Sequence, residues 1–237
     1  SLFDLIGIHF LKRLMQEGWF GWSLAGFAFG AASGLLRERD ALVLNIQRLV
    51  KTILSILAPV LAAALWLFLL SLPLTGLAGL WDGWLSATAL TLAAAGAAYI
   101  LINAVIGGAD EALPANPVLR WSMIALLLAI TPLTLLAAAA LGQRIGQYGW
   151  TPERIWGVLA VVVALAFGLI AIWCLLRDRM SFVARLRRMQ VWHAVAVTVT
   201  ALFLALPILD FGAMATRDQL ARLRSGDVSA NEFDWTA

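Results

Sequence analysis

The stretch IWGVLAVVVALAFGLIAIWCLL, residues 155–176, decides the fold class because it contains no Asp, Glu, Lys or Arg. A helix rises about 1.5 Å per residue, so a stretch of this length crosses a hydrocarbon core of about 30 Å. Five further apolar stretches have no Asp, Glu, Lys or Arg in their interiors. They lie near residues 18–36, 52–72, 85–107, 120–142 and 191–209. The sequence therefore predicts an all-α protein, a polytopic transmembrane helical bundle of about six spans.

The composition supports this class. Mean hydropathy is +0.88, and 62% of residues are hydrophobic while only 13% are charged. About a quarter of the residues of a soluble domain are charged. The net charge of +3 is small, and the basic residues lie in connections and at the ends, which indicates loops facing anionic lipid rather than nucleic acid. The single cysteine, Cys174, lies near the end of an apolar stretch, so no disulfide or metal framework is predicted.

The chain divides into three parts on this basis. Residues 1–17 are predicted to form an interfacial helix or the end of an earlier span, and residues 18–209 form the bundle. Residues 210–237 are predicted to be an extramembrane tail that begins a truncated soluble part. Ser229–Glu232 has the sequence of a capping box, which normally starts a helix. We therefore expect the chain to be a fragment of a longer protein.

The connections predict an orientation. Segments 37–51 and 177–190 are rich in Arg and Lys, whereas 73–84 and 143–151 contribute only Arg144. The positive-inside rule makes the two basic segments cytoplasmic. The C-terminal tail then lies outside, which is the periplasm if the host is a Gram-negative bacterium.

Small residues and prolines mark the predicted packing. Gly26, Gly30 and Gly34 recur at four-residue spacing, which is typical either of a helix-association or homo-oligomer interface or of packing within the chain. Ala89, Ala93 and Ala97 form a second small face. Pro59 and Pro132 lie within the second and fourth spans, where each removes one backbone hydrogen bond and is expected to kink its helix.

Few side chains suited to chemistry lie in the spans. His193 is near a membrane boundary, where an interfacial histidine is expected rather than a proton relay. Asn103 and Tyr99 share a helix face and could line a polar pocket, although interhelical hydrogen bonding is the favoured interpretation. Asp110 and Glu111 form an acidic pair in a loop and are expected to be solvated. The sequence predicts no catalytic residue, no metal site and no cofactor, and hence no enzyme.

Two polar segments carry the densest local patterns. Gly149 is predicted to end one span in a left-handed cap, and Thr151 to cap the next span. In the tail, Thr216 and Gln219 are predicted to form a capping box, and Gly226 to end the short helix that follows.

These segments resemble a bacterial family of multi-pass inner-membrane proteins described as domain of unknown function 4153. The family's Tyr-Gly-(Leu or Trp)-Thr-x-x-Arg turn is matched by Tyr148, Gly149, Trp150, Thr151 and Arg154. Its Pro-Ile-Leu-Asp and Gln-Leu-Ala-Arg-Leu-x-Ser-Gly motifs are matched by Pro207 to Asp210 and by Gln219 to Gly226, which include Arg222 and Leu223. Asn103 and the Asn116-Pro117-x-Leu119-Arg120 segment are also similar. The chain departs from the pattern at residues 210–216, where the family carries a serine-bearing turn.

The resemblance implies a membrane protein with further spans before Ser1 and a soluble part after Ala237, and it implies no catalytic residues. The leading functional hypothesis is a non-enzymatic envelope component that anchors or organises partners. The alternative is a transporter or channel for a small uncharged or lipid-like solute. That alternative predicts a continuous cavity between Pro59 and Pro132. A membrane-embedded enzyme with its reactive groups outside this chain is the third hypothesis.

Overall fold

The computed structural model describes residues 18–37, 40–76, 86–106, 113–178, 181–206 and 210–226, and these residues form seven α-helices and no strand. The helices are α1 (Gly18–Arg37), α2 (Asp40–Thr75), α3 (Ala87–Ile106), α4 (Pro117–Tyr148), α5 (Pro152–Asp178), α6 (Phe182–Ala205) and α7 (Phe211–Ser225). The predicted all-α class is confirmed.

The chain divides into two compact units, Ser1–Thr52 and Ile53–Ala237. Helix α1 belongs to the first unit, and α2 begins in the first and ends in the second. In the first unit, a Cβ added at Gly26, Gly30 or Gly34 would meet no heavy atom within 4 Å. The glycine face of α1 is therefore not used for close packing by the described part of this unit, and its role in association stays a prediction.

Helix α4 is the centre of the second unit. It packs between α3 and α5, and α5 in turn contacts α6. Of the most apolar stretch of α4, 61% of the residues are buried, compared with 17% for α2. The core side chains of α4 include Leu126, Leu127, Ile130 and Leu133. Because α4 faces helices on several sides, its apolar residues surround it rather than forming one stripe.

Helix α2 joins the same core through Ala58, Ala62 and Leu65. The indole Nε1–H of Trp66 donates a hydrogen bond to the carbonyl oxygen of Ala125 at 2.9 Å. This bond ties α2 to α4 and provides a partner for a polar group that would otherwise be desolvated among apolar side chains.

Pro59 and Pro132, the two prolines expected to kink their helices, lie inside α2 and α4, and each helix continues past its proline. Neighbouring helices can compensate for the missing backbone hydrogen bond in such positions. Ala58 and Leu133, the chain neighbours of the two prolines, have no exposed surface.

Within the part of the chain that the structure describes, four helices are long and apolar enough to cross a membrane by length and composition. They are Leu44–Thr75, Ala87–Ile106, Pro117–Tyr148 and Pro152–Asp178. The apolar part of α1 is shorter, at Trp22–Ala31. The predicted span 191–209 begins within α6, and its residues 207–209 lie outside the described part of the chain. The predicted count of six spans is therefore only approximate.

The basic connections are shorter than the sequence suggested. Helix α2 begins at Asp40 and α6 at Phe182, so most of segments 37–51 and 177–190 is helical. Arg and Lys are good helix formers, so a basic segment next to an apolar span readily extends its helix.

Several predictions concern residues that the structure does not describe. They are the helix at 1–17, the pair Asp110 and Glu111, Pro207, and the capping box Ser229–Glu232.

Candidate functional site

The turn between α4 and α5 begins at Gly149. Its N–H donates a hydrogen bond to the carbonyl oxygen of Ile145 at 2.8 Å and so ends α4. Its φ is 76° and its ψ is −172°. The predicted helix end is correct, but the predicted left-handed cap is wrong, because ψ is extended. This conformation is essentially restricted to glycine.

Thr151 and Arg154 organise the other side of the turn. The Oγ1 of Thr151 accepts a hydrogen bond from the N–H of Arg154 at 3.4 Å, as expected of a capping residue. The guanidinium of Arg154 donates to the carbonyl oxygens of Tyr148 at 3.2 Å and Gly149 at 2.6 Å. It also lies 5.6 Å from the centre of the Tyr148 ring. A cation is favourable here because the last carbonyls of a helix carry partial negative charge.

Helix α7 begins earlier than predicted. Asp210 is its N-cap, and the Oδ1 of Asp210 accepts a hydrogen bond from the N–H of Ala213 at 2.9 Å. The predicted capping box of Thr216 and Gln219 is wrong, because Thr216 lies inside the helix and donates to the carbonyl oxygen of Gly212. Aspartate is among the best N-cap residues, so the earlier cap takes precedence. The predicted stop at Gly226 is correct, with a left-handed φ of 80°.

Three side chains of α7 hydrogen-bond to the backbone of the α4–α5 turn or of the last turn of α4, and we call them the turn clamp: Asp218, Gln219 and Arg222. The Oδ2 of Asp218 accepts from the N–H of Trp150 at 2.8 Å. The Nε2 of Gln219 donates to the carbonyl oxygens of Tyr148 at 2.9 Å and Trp150 at 3.2 Å.

Arg222 completes the turn clamp at the last turn of α4. Its guanidinium donates to the carbonyl oxygens of Gly146 at 3.3 Å and Gln147 at 2.7 Å. The last four carbonyls of a helix have no partner within the helix. The turn clamp and Arg154 together supply donors to the carbonyls at this helix end.

Helix α7 packs closely against the turn between α4 and α5. Gln219 is only 2% exposed and Ala215 is fully buried. A Cβ added at Gly149 would lie 2.7 Å from the Oδ2 of Asp218 and 2.8 Å from the Nε2 of Gln219. Gly149 is thus required both for its backbone conformation and for the approach of α7.

An aromatic contact extends this interface to α5. The rings of Trp156 and Phe211 meet edge to face, with their centres 5.6 Å apart. Such pairs contribute about 0.5–1.5 kcal/mol beyond the area they bury. Helix α7 is therefore fixed at its start by this aromatic pair, in addition to the turn clamp further along the helix.

The structure brings most of the family-motif residues together. Tyr148, Gly149, Thr151 and Arg154 form the turn, and Gln219 and Arg222 hold it. Asp210 and Gly226 begin and end the helix that carries the turn clamp. Leu223 is half-buried on α7, whereas Pro207 lies outside the described residues.

The face by which α7 docks was not predicted from the sequence, and the apolar side chain of Leu220 on this helix is 40% exposed. The docking face carries Ala215, Asp218, Gln219 and Arg222, at the i, i+3, i+4 and i+7 spacing of one helix face. That spacing was present in the sequence, but polar residues on a face do not by themselves reveal a contact with another part of the chain.

Asn103 contacts α6, as the favoured interpretation required. The Nε2 of Gln190 donates to the Oδ1 of Asn103 at 3.2 Å, and the Nδ2 of Asn103 donates to the carbonyl oxygen of Tyr99 at 2.8 Å. Interhelical hydrogen bonding by Asn103 is confirmed. Tyr99 and His193 line a groove beside this pair.

The opposite end of α5 is joined to α6 by an ion pair. The Nε of Arg185 donates to the Oδ2 of Asp178, and its Nη2 donates to the Oδ1 at 3.0 Å. The same guanidinium lies 5.5 Å from the centre of the Trp173 ring. Cys174 is fully buried beside this connection.

The grooves found among the described residues include two of about 620 and 520 Å³, and neither of these two is lined by Pro59 or Pro132. The cavity between the two prolines stays a prediction. In the same part of the chain, no group of three or more His, Cys, Asp or Glu side chains could hold a metal ion.

Comparison with known proteins identifies the family. No curated protein and no solved structure matches the chain. The model of the family described as domain of unknown function DUF4153 matches residues 1–234, nearly the whole chain. The chain therefore belongs to the DUF4153 family of domains of unknown function.

Proposed function

We propose that this protein is a non-enzymatic component of the bacterial inner membrane that anchors or organises partner proteins in the envelope. The observation that carries the proposal is the turn clamp. It fixes α7, a polar helix of mixed charge, against the end of two apolar helices through hydrogen bonds to backbone atoms. A helix held in this way presents its remaining surface at a defined place and angle.

The outer face of α7 is suited to a protein partner. Met214 and Leu220 are 52% and 40% exposed, and Arg217 and Arg224 are exposed beside them. Exposed apolar side chains among arginines are typical of protein interfaces, in which Met and Arg are enriched. The partner expected from this surface is a protein with an acidic, partly apolar patch.

The proposed site of action is the periplasmic face of the inner membrane. The asymmetry of basic residues between the connections supports this orientation. Ala230→Cys provides the test, because a membrane-impermeant thiol reagent added to intact cells should label it. Cys174 is buried and serves as the unlabelled background. Absence of labelling would contradict a periplasmic tail.

Cross-linking in native membranes tests the anchoring role. Cross-linked partners should be recovered with the unaltered protein and lost in Gln219→Glu, which reverses the hydrogen-bonding character of a clamp residue. Arg217→Glu should also lose them, because it reverses a charge on the outer face while leaving the turn clamp intact.

Val162→Ala is the matched control, because Val162 is 56% exposed on α5 and far along the chain from α7. It should retain every cross-link. Recovery of the unaltered protein as a monomer without partners would overturn the proposal, as would identical cross-links in all variants.

A further inference from the structure

Helix α6 is buried at its start and exposed further along. Phe182, Val183 and Leu186 have no exposed surface, whereas Val195 and Val199 are 46% and 60% exposed. The middle of α6 consequently borders a groove of about 520 Å³, whose other walls are α3 and α5. This volume is within the range of ligand-binding sites.

Small residues create the space in the groove. Ala95 and Gly96 of α3 face Ala160 and Ala164 of α5, and the nearly buried Ile130 of α4 contributes to the lining. A Cβ added at Gly96 would meet no heavy atom within 4 Å. Because α3 and α5 are apolar enough to cross a membrane, this part of the groove lies at the depth of lipid acyl chains.

One end of the groove is aromatic and polar. The rings of Tyr99 and Phe167 meet edge to face at 4.8 Å, and the Phe167 ring lies 6.1 Å from that of His193. Gln190 lines the same end and bonds to Asn103. His193 makes no hydrogen bond within the described part of the chain. A polar group at this depth is costly unless a partner accepts or donates a hydrogen bond.

The groove-facing side of α6 changes in character along its length. Arg187 lies one turn before Gln190 on the same face, His193 follows, and Val197 lies one turn further. The rise from Arg187 to Val197 is roughly 15 Å. A phospholipid has the same order over a similar length: an anionic phosphate, hydrogen-bonding ester groups and an apolar chain.

We propose that this groove binds one anionic phospholipid from the surrounding bilayer. The acyl chain lies along the small residues of α3 and α5, His193 donates a hydrogen bond to an ester carbonyl, and the phosphate lies beside Arg187. The charge of Arg187 and the polar gradient along α6 select a lipid with a negative headgroup over an apolar helix of a second copy.

Native mass spectrometry of the purified, delipidated protein tests the proposal. Phosphatidylglycerol and phosphatidylcholine are added separately at equal concentration, and the fraction of protein with one bound lipid is measured. We expect at least a fivefold excess of phosphatidylglycerol adducts. Equal binding of the two lipids would overturn the anionic preference.

Ala164→Phe fills the groove and should reduce the phosphatidylglycerol adduct at least fivefold. Val162→Phe adds the same side chain to an exposed position of the same helix and should leave it unchanged. Should Ala164→Phe fail to fold, Thr198→Phe on the exposed opposite wall replaces it. Arg187→Gln should bring the two lipids to near parity.

Two further results would overturn the inference. One is equal lipid binding by the groove-filling and control variants. The other is a dimer of the unaltered protein that binds no lipid and dissociates in Ala164→Phe, since the groove would then hold a second copy.

Discussion

The two ends of α5 are connected to neighbouring helices by different kinds of contact. At its start, the turn clamp reaches the backbone from residues 68 to 76 positions away along the chain. At its end, Arg185 bonds to Asp178 only seven residues away. The first connection depends on where a separate helix is placed, and the second only on a short turn. Damage to the first should therefore separate two parts of the molecule, whereas damage to the second should loosen one helix pair.

The largest effect is expected from Gly149→Ala. The backbone conformation of Gly149 costs an alanine about 1–3 kcal/mol, and the added Cβ would collide with Asp218 and Gln219. We expect the free energy of unfolding, measured in detergent micelles, to fall by about 2–4 kcal/mol. Gly146→Ala is the control, because its Cβ would meet nothing within 4 Å inside α4. A similar loss in both variants would contradict a specific role for the turn.

Gln219→Glu tests the turn clamp, because it changes the hydrogen-bonding groups of this side chain but not the size of the side chain. The carboxylate cannot donate to the carbonyl oxygens of Tyr148 and Trp150, and Gln219 is nearly buried. Leaving such groups unpaired should cost about 2–3 kcal/mol in thermal unfolding. Ala221→Glu introduces the same charge on the exposed side of α7 and should be nearly neutral. If both glutamates behaved alike, net charge rather than hydrogen bonding would explain the loss.

Two substitutions in α7 compare the N-cap seen in the structure, Asp210, with the one expected from the sequence, Thr216. Asp210→Ala removes the side-chain bond to the N–H of Ala213 and should lower stability by about 1 kcal/mol. Thr216→Ala removes only a bond to a carbonyl within the helix and should change stability by less than half of that. Urea unfolding of both variants in micelles measures the difference. The reverse order would restore the predicted capping box.

The smallest loss is expected at the other end of α5. Asp178→Asn and Arg185→Gln, compared singly and together, should reveal a weak coupling that decreases with added salt, because partly exposed ion pairs are screened. The turn-clamp variants should show little salt dependence, since the bonds of the turn clamp are to backbone atoms. A coupling at Asp178 and Arg185 that equals the effect of Gln219→Glu would remove the contrast between the two ends.

Local features of the chain could be predicted from the sequence where the interacting residues are close to one another along the chain. The helix end at Gly149 and the stop at Gly226 were both expected and both are observed, and Asn116 with Pro117 in the first turn caps the start of α4 in an equally local way. Each depends on backbone groups within four residues. The ion pair of Asp178 and Arg185 is also local, yet the only prediction for segment 177–190 was a basic connection on the cytoplasmic side.

Contacts between distant residues could not be predicted in this way. The sequence does not show whether Arg154 faces lipid headgroups or carbonyl oxygens. Only the structure shows that its guanidinium bonds to the carbonyl oxygens of Tyr148 and Gly149. The same holds for Trp66, whose indole donates a hydrogen bond to Ala125 in α4.

The sequence by itself determined that this is an all-helical membrane protein, because long runs without charged residues are stable in a bilayer only as helices or closed barrels, and because their lengths match the hydrocarbon core. It also determined where several helices end, since caps act over a few residues. Only the tertiary structure decided which face of α7 is buried, and that two motifs about 70 residues apart form one site. Those contacts depend on how helices pack, and a single sequence records the residues that pack but not their neighbours in space.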